Sequence, residues 1–330
     1  MKIAIVGDVH WSKYSSIVRG RGEKYTTRLE HLINSLNWCE MTADKYETDA
    51  MVYLGDFFDR ADMNAEEITA LKEIGWNYQP HYFLVGNHEL GLTATDFNSS
   101  EVFGLLPTGN VISKPTTILD NVGNKITFLP YSLEENRPEL PVSDIIFSHN
   151  DLQMQYGFYK SEIGYDVDEI KTKCKLFING HLHNHYIFGN IVNLGNICGQ
   201  NFNEDATKYD HYMMILDTDK CTYTLEKNPY ALKFYKFDFC ATNKSLAEPL
   251  DSNSVVTAKC FAEDACVLEN LYADVLEKRL IINRGIVKSD TTTEDIQLDT
   301  VDHLEKFRQF VHKEIGDTPI INELLNEVTA

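Results

Sequence analysis

The chain has no C-x-x-C pair, no internal repeat, no heptad array and no low-complexity tract. No apolar run approaches the ~20 residues of a membrane span, so no membrane partner is expected. Its seven cysteines (Cys39, Cys174, Cys198, Cys221, Cys240, Cys260 and Cys266) are scattered and odd in number. That argues against a zinc–thiolate site or a disulfide framework and suits reduced thiols in a cytoplasmic protein. Residues 1–8 meet a charge too early for a secretory signal and read as a strand.

Positive charge is also scarce. There are 30 Lys and Arg against 50 Asp and Glu, a net charge of −20. The deficit is spread evenly: residues 1–200 carry 16 basic and 26 acidic side chains, and residues 201–330 carry 14 and 24. A phosphate backbone attracts positive surfaces, so this balance weighs against nucleic-acid binding unless metals offset the acids or a partner supplies basic surface. One stretch runs the other way. Lys13, Arg19, Arg21, Lys24 and Arg28 face only Glu23, giving either a solvated loop or a loop that contacts phosphate.

What is present is enough for a core. The 330 residues, 43% hydrophobic, suit one large domain and a smaller one. Residues 2–7, 50–54 and 81–85 read as strands. A helix opens at Thr27-Arg28-Leu29-Glu30 with capping-box spacing and shows one apolar face, Leu29, Leu32, Ile33 and Leu36. A second helix runs from Asn64, its N-cap, to a stop at Gly75. This alternation implies parallel pairing, with reactive residues beyond the carboxyl ends of the strands. From about residue 111 the chain becomes strand-rich (111–113, 125–129, 145–148, 175–178, 185–188, 191–194, 212–216 and 222–226), which suggests a second sheet on the first. A boundary follows the strand 232–239, separating a domain 1–240 from a region 241–330. That region holds a helix near 265–277, a strand 279–287, a loop 288–295, a helix near 301–315 and a short final helix.

Five polar clusters carry the chemistry: Asp8-Val9-His10, Gly55-Asp56-Phe57-Phe58-Asp59-Arg60, Gly86-Asn87-His88-Glu89, Ser148-His149 and Gly180-His181-Leu182-His183. Two residues apart in an extended segment, Asp8 and His10 point the same way, and so do His181 and His183. Asp56 is the natural carboxylate bridge between two cations about 3.5–4 Å apart. Asn87 adds a carbonyl oxygen and His149 an imidazole. Oxygen and imidazole without thiolate favour two divalent ions, Mn²⁺ first, with Fe or Zn²⁺ also suited. His88 is the candidate general acid, Asp59 the group that orients it, and Arg60 a holder of a phosphate oxygen. His185 reads as an outer-shell or ordinary strand histidine, and His31, His81, His211, His303 and His312 as structural.

Together these motifs resemble the calcineurin-like metallophosphoesterase superfamily over roughly residues 1–226. The resemblance implies a four-layer α/β/β/α sandwich with a smaller C-terminal α+β or helical region. It implies one metal held by Asp8, His10, Asp56 and His183, and another by Asp56, Asn87, His149 and His181, with His88 catalytic. Within the superfamily, three stretches resemble the SbcD-type DNA repair nucleases and their phage counterparts. These are the Arg-containing loop after His10, the helix start after Arg60, and the run from Asn193-Leu194-Gly195-Asn196 to Phe202-Asn203-Glu204. The resemblance implies hydrolysis of DNA phosphodiesters by a metal-activated water, as exonuclease or endonuclease, in the cytoplasm (the host's, if phage-encoded). It further implies a capping region, a homodimer, and docking on the coiled coil of an SMC-like ABC-type ATPase. The stripes Leu304, Phe307, Val311, Ile315 and Ile321, Leu324, Leu325, Val328 suit either that docking or packing on this chain's own core. The alternative is a metallophosphatase or phosphodiesterase acting on a phosphoprotein or small-molecule ester. Trp11 and Ala61 stand where serine/threonine phosphatases usually have Gly.

Overall fold

The computed structural model describes residues 1–91, 94–156, 159–202, 210–240 and 248–283. Strand β1 (Lys2–Val6) pairs in parallel with β2 (Ala50–Tyr53), which pairs in parallel with β3 (His81–Leu84), and Gly109–Ile112 follows β3 in the same direction. Helix α1 (Thr27–Lys45) joins β1 to β2, and helix α2 (Ala65–Ala70) lies between β2 and β3. A second six-stranded sheet has the parallel centre Ile191–Asn193, Leu176–Asn179, Ile145–Ser148 and Lys125–Leu129, with antiparallel edges Tyr186–Phe188 and Thr116–Leu119.

Alternation along the strands builds the layers. Ile3 and Ile5 of β1, Val52 of β2 and Leu84 of β3 point inward, onto Ile126, Phe128, Ile145, Phe147, Leu176 and Ile178 of the second sheet. Ala4, Val6, Met51, Tyr53 and Phe83 point the other way, onto the Leu29, Leu32, Ile33 and Leu36 face of α1. Ile146, Phe177 and Ile191 cover the outer face of the second sheet together with Ile170 of the helix Val167–Lys173. The result is the expected α/β/β/α sandwich. Each fully buried Ile, Leu or Phe stabilises it by about 1.5–3 kcal/mol.

Several expectations shift. Strands Gly109–Ile112, Tyr212–Asp217 and Thr222–Lys227 belong to the first sheet, not the second: Tyr212–Asp217 lies antiparallel on the free edge of β1. The cap of α1 is Thr26, whose side chain accepts from the Leu29 amide, while Glu30 reaches back to the amides of Lys24 and Tyr25. Asn64 and Glu67 form a full capping box on α2, which ends at Ala70 and continues as one tighter turn, Leu71–Glu73. The helix expected near 265–277 is Ala262–Leu271, and the strand expected at 279–287 is described as Glu277–Asn283. A third, wholly parallel sheet joins Lys233–Asp238, Ser254–Phe261 and Glu277–Asn283, and thus takes strands from both sides of residue 240. None of the seven cysteines forms a disulfide, and among the described residues no helix is long and apolar enough to cross a membrane. By compactness the chain divides into Met1–Arg284 and Gly285–Ala330. The loop 288–295, the helix near 301–315 and the final helix fall in the second unit and lie outside the described residues.

Candidate metal centre

Five loops leave the carboxyl ends of β1, β2, β3, Ile145–Ser148 and Leu176–Asn179, and they converge. Their shapes are fixed by packing below and hydrogen bonds between them. Phe57 and Phe58, fully buried, anchor the loop after β2 against Phe103, whose ring stacks on Phe83 of β3. The Asp56 carbonyl accepts from both Val9 and His10, at 3.1 and 2.9 Å. Three residues of these loops are left-handed: His10 (φ 50°), Asp56 (φ 44°) and His181 (φ 73°). Approach is so close that a Cβ on Gly86 would lie 2.2 Å from Asp56 Oδ1.

Two groups of donor atoms meet at Asp56. In the first, His10 Nε2 is 3.0 Å from His183 Nε2, and Asp8 Oδ2 lies 3.9 and 4.0 Å from these nitrogens. Asp8 Oδ1 accepts from the His181 amide at 3.0 Å, whereas Oδ2 is buried with no hydrogen-bond partner. Leaving a buried carboxylate oxygen unpaired is costly, and a cation would satisfy it. With bonds of about 2.0–2.1 Å, two nitrogens at right angles on one cation stand about 3 Å apart, which matches the imidazole pair. In the second group, Asn87 Oδ1 is 3.2 Å from His149 Nε2 and 3.0 Å from His181 Nδ1. Asp56 Oδ2 is 3.2 Å from His149 Nε2, 3.9 Å from His10 Nε2 and 4.0 Å from His88 Nε2, and so faces both groups. The donor set, hard oxygens and imidazoles, fits a pair of divalent cations.

The outer nitrogens of His149, His181 and His88 face acceptors, which fixes ring orientation. His149 Nδ1 faces the Leu54 carbonyl at 2.8 Å, and His181 Nε2 faces the Asp151 carboxylate at 3.4 Å. His88 Nδ1 meets the backbone carbonyl of Asp59 at 2.7 Å. The Asp59 carboxylate stands instead 3.3 Å from His10 Nδ1. The sequence predicts that Asp59 orients His88; its backbone carbonyl does so, while its carboxylate stands beside His10.

The charges are coupled. Burial works against a charge on Asp56, but His149 and then His10 and His88 outweigh it and hold the carboxyl well below the usual range. Burial likewise opposes the His149 imidazolium, and Asp56 overcomes it, carrying His149 up to about 9. His10 is lowered, chiefly by burial. Glu89, fully buried and close to Asp56, is pushed up to about 8.

Arg60, expected to hold a phosphate oxygen, is anchored within the protein. Its guanidinium donates to both carboxylate oxygens of buried Glu67, at 2.8 and 2.7 Å, and to Ser12 Oγ at 3.1 Å. Nη2 and one Nη1–H are therefore engaged within the protein. Arg60 nevertheless lines an open cleft of about 500 Å³ with Asp59, Ala61, Asp62, Asn87 and His88. The basic loop is similarly engaged within the protein. Lys13 and Arg21 reach Glu66, Lys24 pairs with Glu73, and Arg28 is buried against the Gly199 carbonyl. His185 sits apart, its ring edge-on to Tyr212, and His81 is buried against Glu40.

Some residues position the loops in roles that the sequence does not assign. Glu89 accepts from the amides of Asp56, Phe58 and Gly86, at 3.1, 2.7 and 2.7 Å, tying two of the loops together. Asn179 donates to the carbonyls of Asn150 and Gly180, and Asn193 to those of Leu182 and Asn184, framing the loop of His181 and His183. Glu89 ends one of the polar clusters, and the signal of Asn179 and Asn193 is position: each is a short polar residue at a strand end, where backbone groups lack partners.

No protein of curated function matches the chain. Among solved structures, a novel archaeal phosphodiesterase is 14% identical, with 69% of this chain and 99% of that one covered and a TM-score of 0.38. TT1561 of Thermus thermophilus is 13% identical over 68% and 98% of the two chains, with a TM-score of 0.41. The hypothetical protein PH1004 from Pyrococcus horikoshii is 12% identical over 68% and 87%, with a TM-score of 0.37. The family model for calcineurin-like phosphoesterases matches residues 1–185, more than half of the chain. With the sandwich, the convergent loops and the Asp–His–Asn donor set, that match makes this chain a member of the calcineurin-like phosphoesterase family.

Proposed function

We propose that the chain hydrolyses DNA phosphodiesters with two divalent cations, Mn²⁺ being the best suited. Asp8, His10, Asp56 and His183 would hold one cation, and Asp56, Asn87, His149 and His181 the other. When bound, the cations supply Lewis-acid charge that draws phosphate oxygens and acidifies water. The protein's own part is positioning and proton transfer. Asp56 Oδ2, which faces both donor groups, is the observation that carries the reading. His88 keeps its Nδ1–H on the Asp59 carbonyl, so Nε2 is the atom turned to the centre and able to protonate the departing sugar oxygen. Arg60, anchored on Glu67 through Nη2, lends positive charge to the cleft wall.

The step from phosphate ester to DNA rests on the resemblance of the segments between the motifs to SbcD-type nucleases. In that reading residues 241–330 cap the site and dock an SMC-like ATPase, whose basic surface makes up for this chain's charge of −20. The internal pairing of the basic loop favours the alternative, a small-molecule or phosphoprotein ester. Purified protein with Mn²⁺ should cleave labelled single- or double-stranded DNA and bis-p-nitrophenyl phosphate. Turnover of p-nitrophenyl phosphate with no cleavage of DNA would overturn the nuclease reading. Loss of ATPase co-purification on truncation after residue 295 is expected from docking, and its survival would refute it.

A further inference from the structure

Beside the metal centre, one arrangement has no part in holding cations. Buried Glu67 receives the Lys13 amide at 2.9 Å and the Asn64 amide at 3.0 Å, as well as Arg60 Nη2. Its backbone carbonyl receives Trp11 Nε1 at 3.1 Å. Ser12 Oγ accepts from Arg60 and from the Tyr14 amide, both at 3.1 Å. One carboxylate thus fixes the plane of Arg60 and the loop that carries Tyr14. The guanidinium carbon lies 4.7 Å from the centre of the Tyr14 ring, and Lys13 Nζ lies 5.1 Å from it. Tyr14 itself remains 61% exposed. Nη2 of Arg60 is committed to Glu67 and Nη1 to Ser12, and one face of the guanidinium lies on the Tyr14 ring, so the opposite face is what Arg60 can offer a ligand in the cleft. Guanidinium and phenol planes that are held rigid stack on flat rings at low entropic cost.

We propose that Tyr14 and Arg60 form a stacking platform for a nucleobase of the substrate strand, one subsite away from the scissile phosphate. This rests on the nucleic-acid reading above and deepens it. The platform explains how a chain so acidic can still grip a strand: a ring stacked on a cation-backed tyrosine needs no net positive surface, since every base has a π face. It also predicts tolerance of base identity, because stacking reads flatness and not a hydrogen-bond pattern.

The test is anisotropy of a fluorescein-labelled single-stranded oligonucleotide with the full chain, in chelator so that no cleavage occurs, at low salt. A second strand carries abasic tetrahydrofuran units in place of nucleosides. Wild type should prefer the base-bearing strand by about tenfold, the effect of one stacked base. Tyr14→Ala should bring that ratio near one, and Tyr14→Trp should keep it. An unchanged ratio in Tyr14→Ala, or equal binding of both strands by wild type, overturns the platform while leaving the nuclease reading intact. No binding of either strand by wild type, with bis-p-nitrophenyl phosphate still hydrolysed in Mn²⁺, overturns both.

Discussion

The Asp59 carboxylate lies 3.3 Å from Nδ1 of His10, while the carbonyl of the same residue accepts from His88. One residue therefore steadies two histidines through different atoms, and the two functions separate by mutation. Asp59→Asn keeps the backbone contact and weakens the other. It should lower affinity for a divalent cation by about 10–100-fold, the usual cost of losing an outer-shell carboxylate. Titration calorimetry with Mn²⁺ checks this, and unchanged affinity would refute the assignment.

His88→Asn should slow hydrolysis of an ester with an alkoxide leaving group by about 10²–10⁴-fold. The loss should be much smaller with p-nitrophenolate, which departs without a proton. Bound metal, counted by plasma mass spectrometry, should stay at the wild-type value. Metal loss, or an equal fall with both leaving groups, contradicts an acid role.

Glu89→Ala removes the acceptor for three buried amides at once. A destabilisation of about 3–5 kcal/mol is expected, since each orphaned donor costs about 1–3 kcal/mol and the loops relax in part. Denaturant midpoints of the chelated protein measure it. A shift under about 1 kcal/mol would mean that water replaces the carboxylate freely.

The centre also sets a pH signature. In chelated protein, His149 is raised to about 9 because Asp56 outweighs burial. A base whose folded pKa is raised stabilises fully below its unfolded value, about 6.5, and loses that contribution as pH climbs through the folded value. Chelated protein should therefore melt at progressively lower temperature between about pH 6 and pH 10. Metal competes with that proton for Nε2, so the stabilisation added by Mn²⁺ should grow over the same range. Calorimetric scans with and without metal read both slopes; parallel slopes would refute the linkage.

The ligand motifs are legible in the sequence because each is short and ends a strand, so local pattern alone places it. The Leu29–Leu36 stripe and the Asn64 cap are legible for the same reason. What needs the folded chain is partner choice between distant or alternative atoms. The strand Tyr212–Asp217 has the same alternation whichever sheet accepts it, and only the open edge of β1 decides. Glu67 looks like half of a capping box, which it is; that the same carboxylate takes Arg60 Nη2 depends on how the loop after β2 returns over α2. The Asp59 side chain and carbonyl are equally available in sequence, and the turn after Phe58 chooses between them.

Of five non-glycine residues with positive φ among those described, His10, Asp56 and His181 lie in the centre. Each such conformation costs of order 1–3 kcal/mol. The fold therefore carries its centre as a load, offset by the sandwich below and by whatever binds above. A lineage released from the need to cut phosphate esters could shed that load with single changes, such as His181→Gly, and become more heat-resistant as it became inert. High thermal stability in a relative with these positions altered would then be a mark of lost activity, not of a better enzyme.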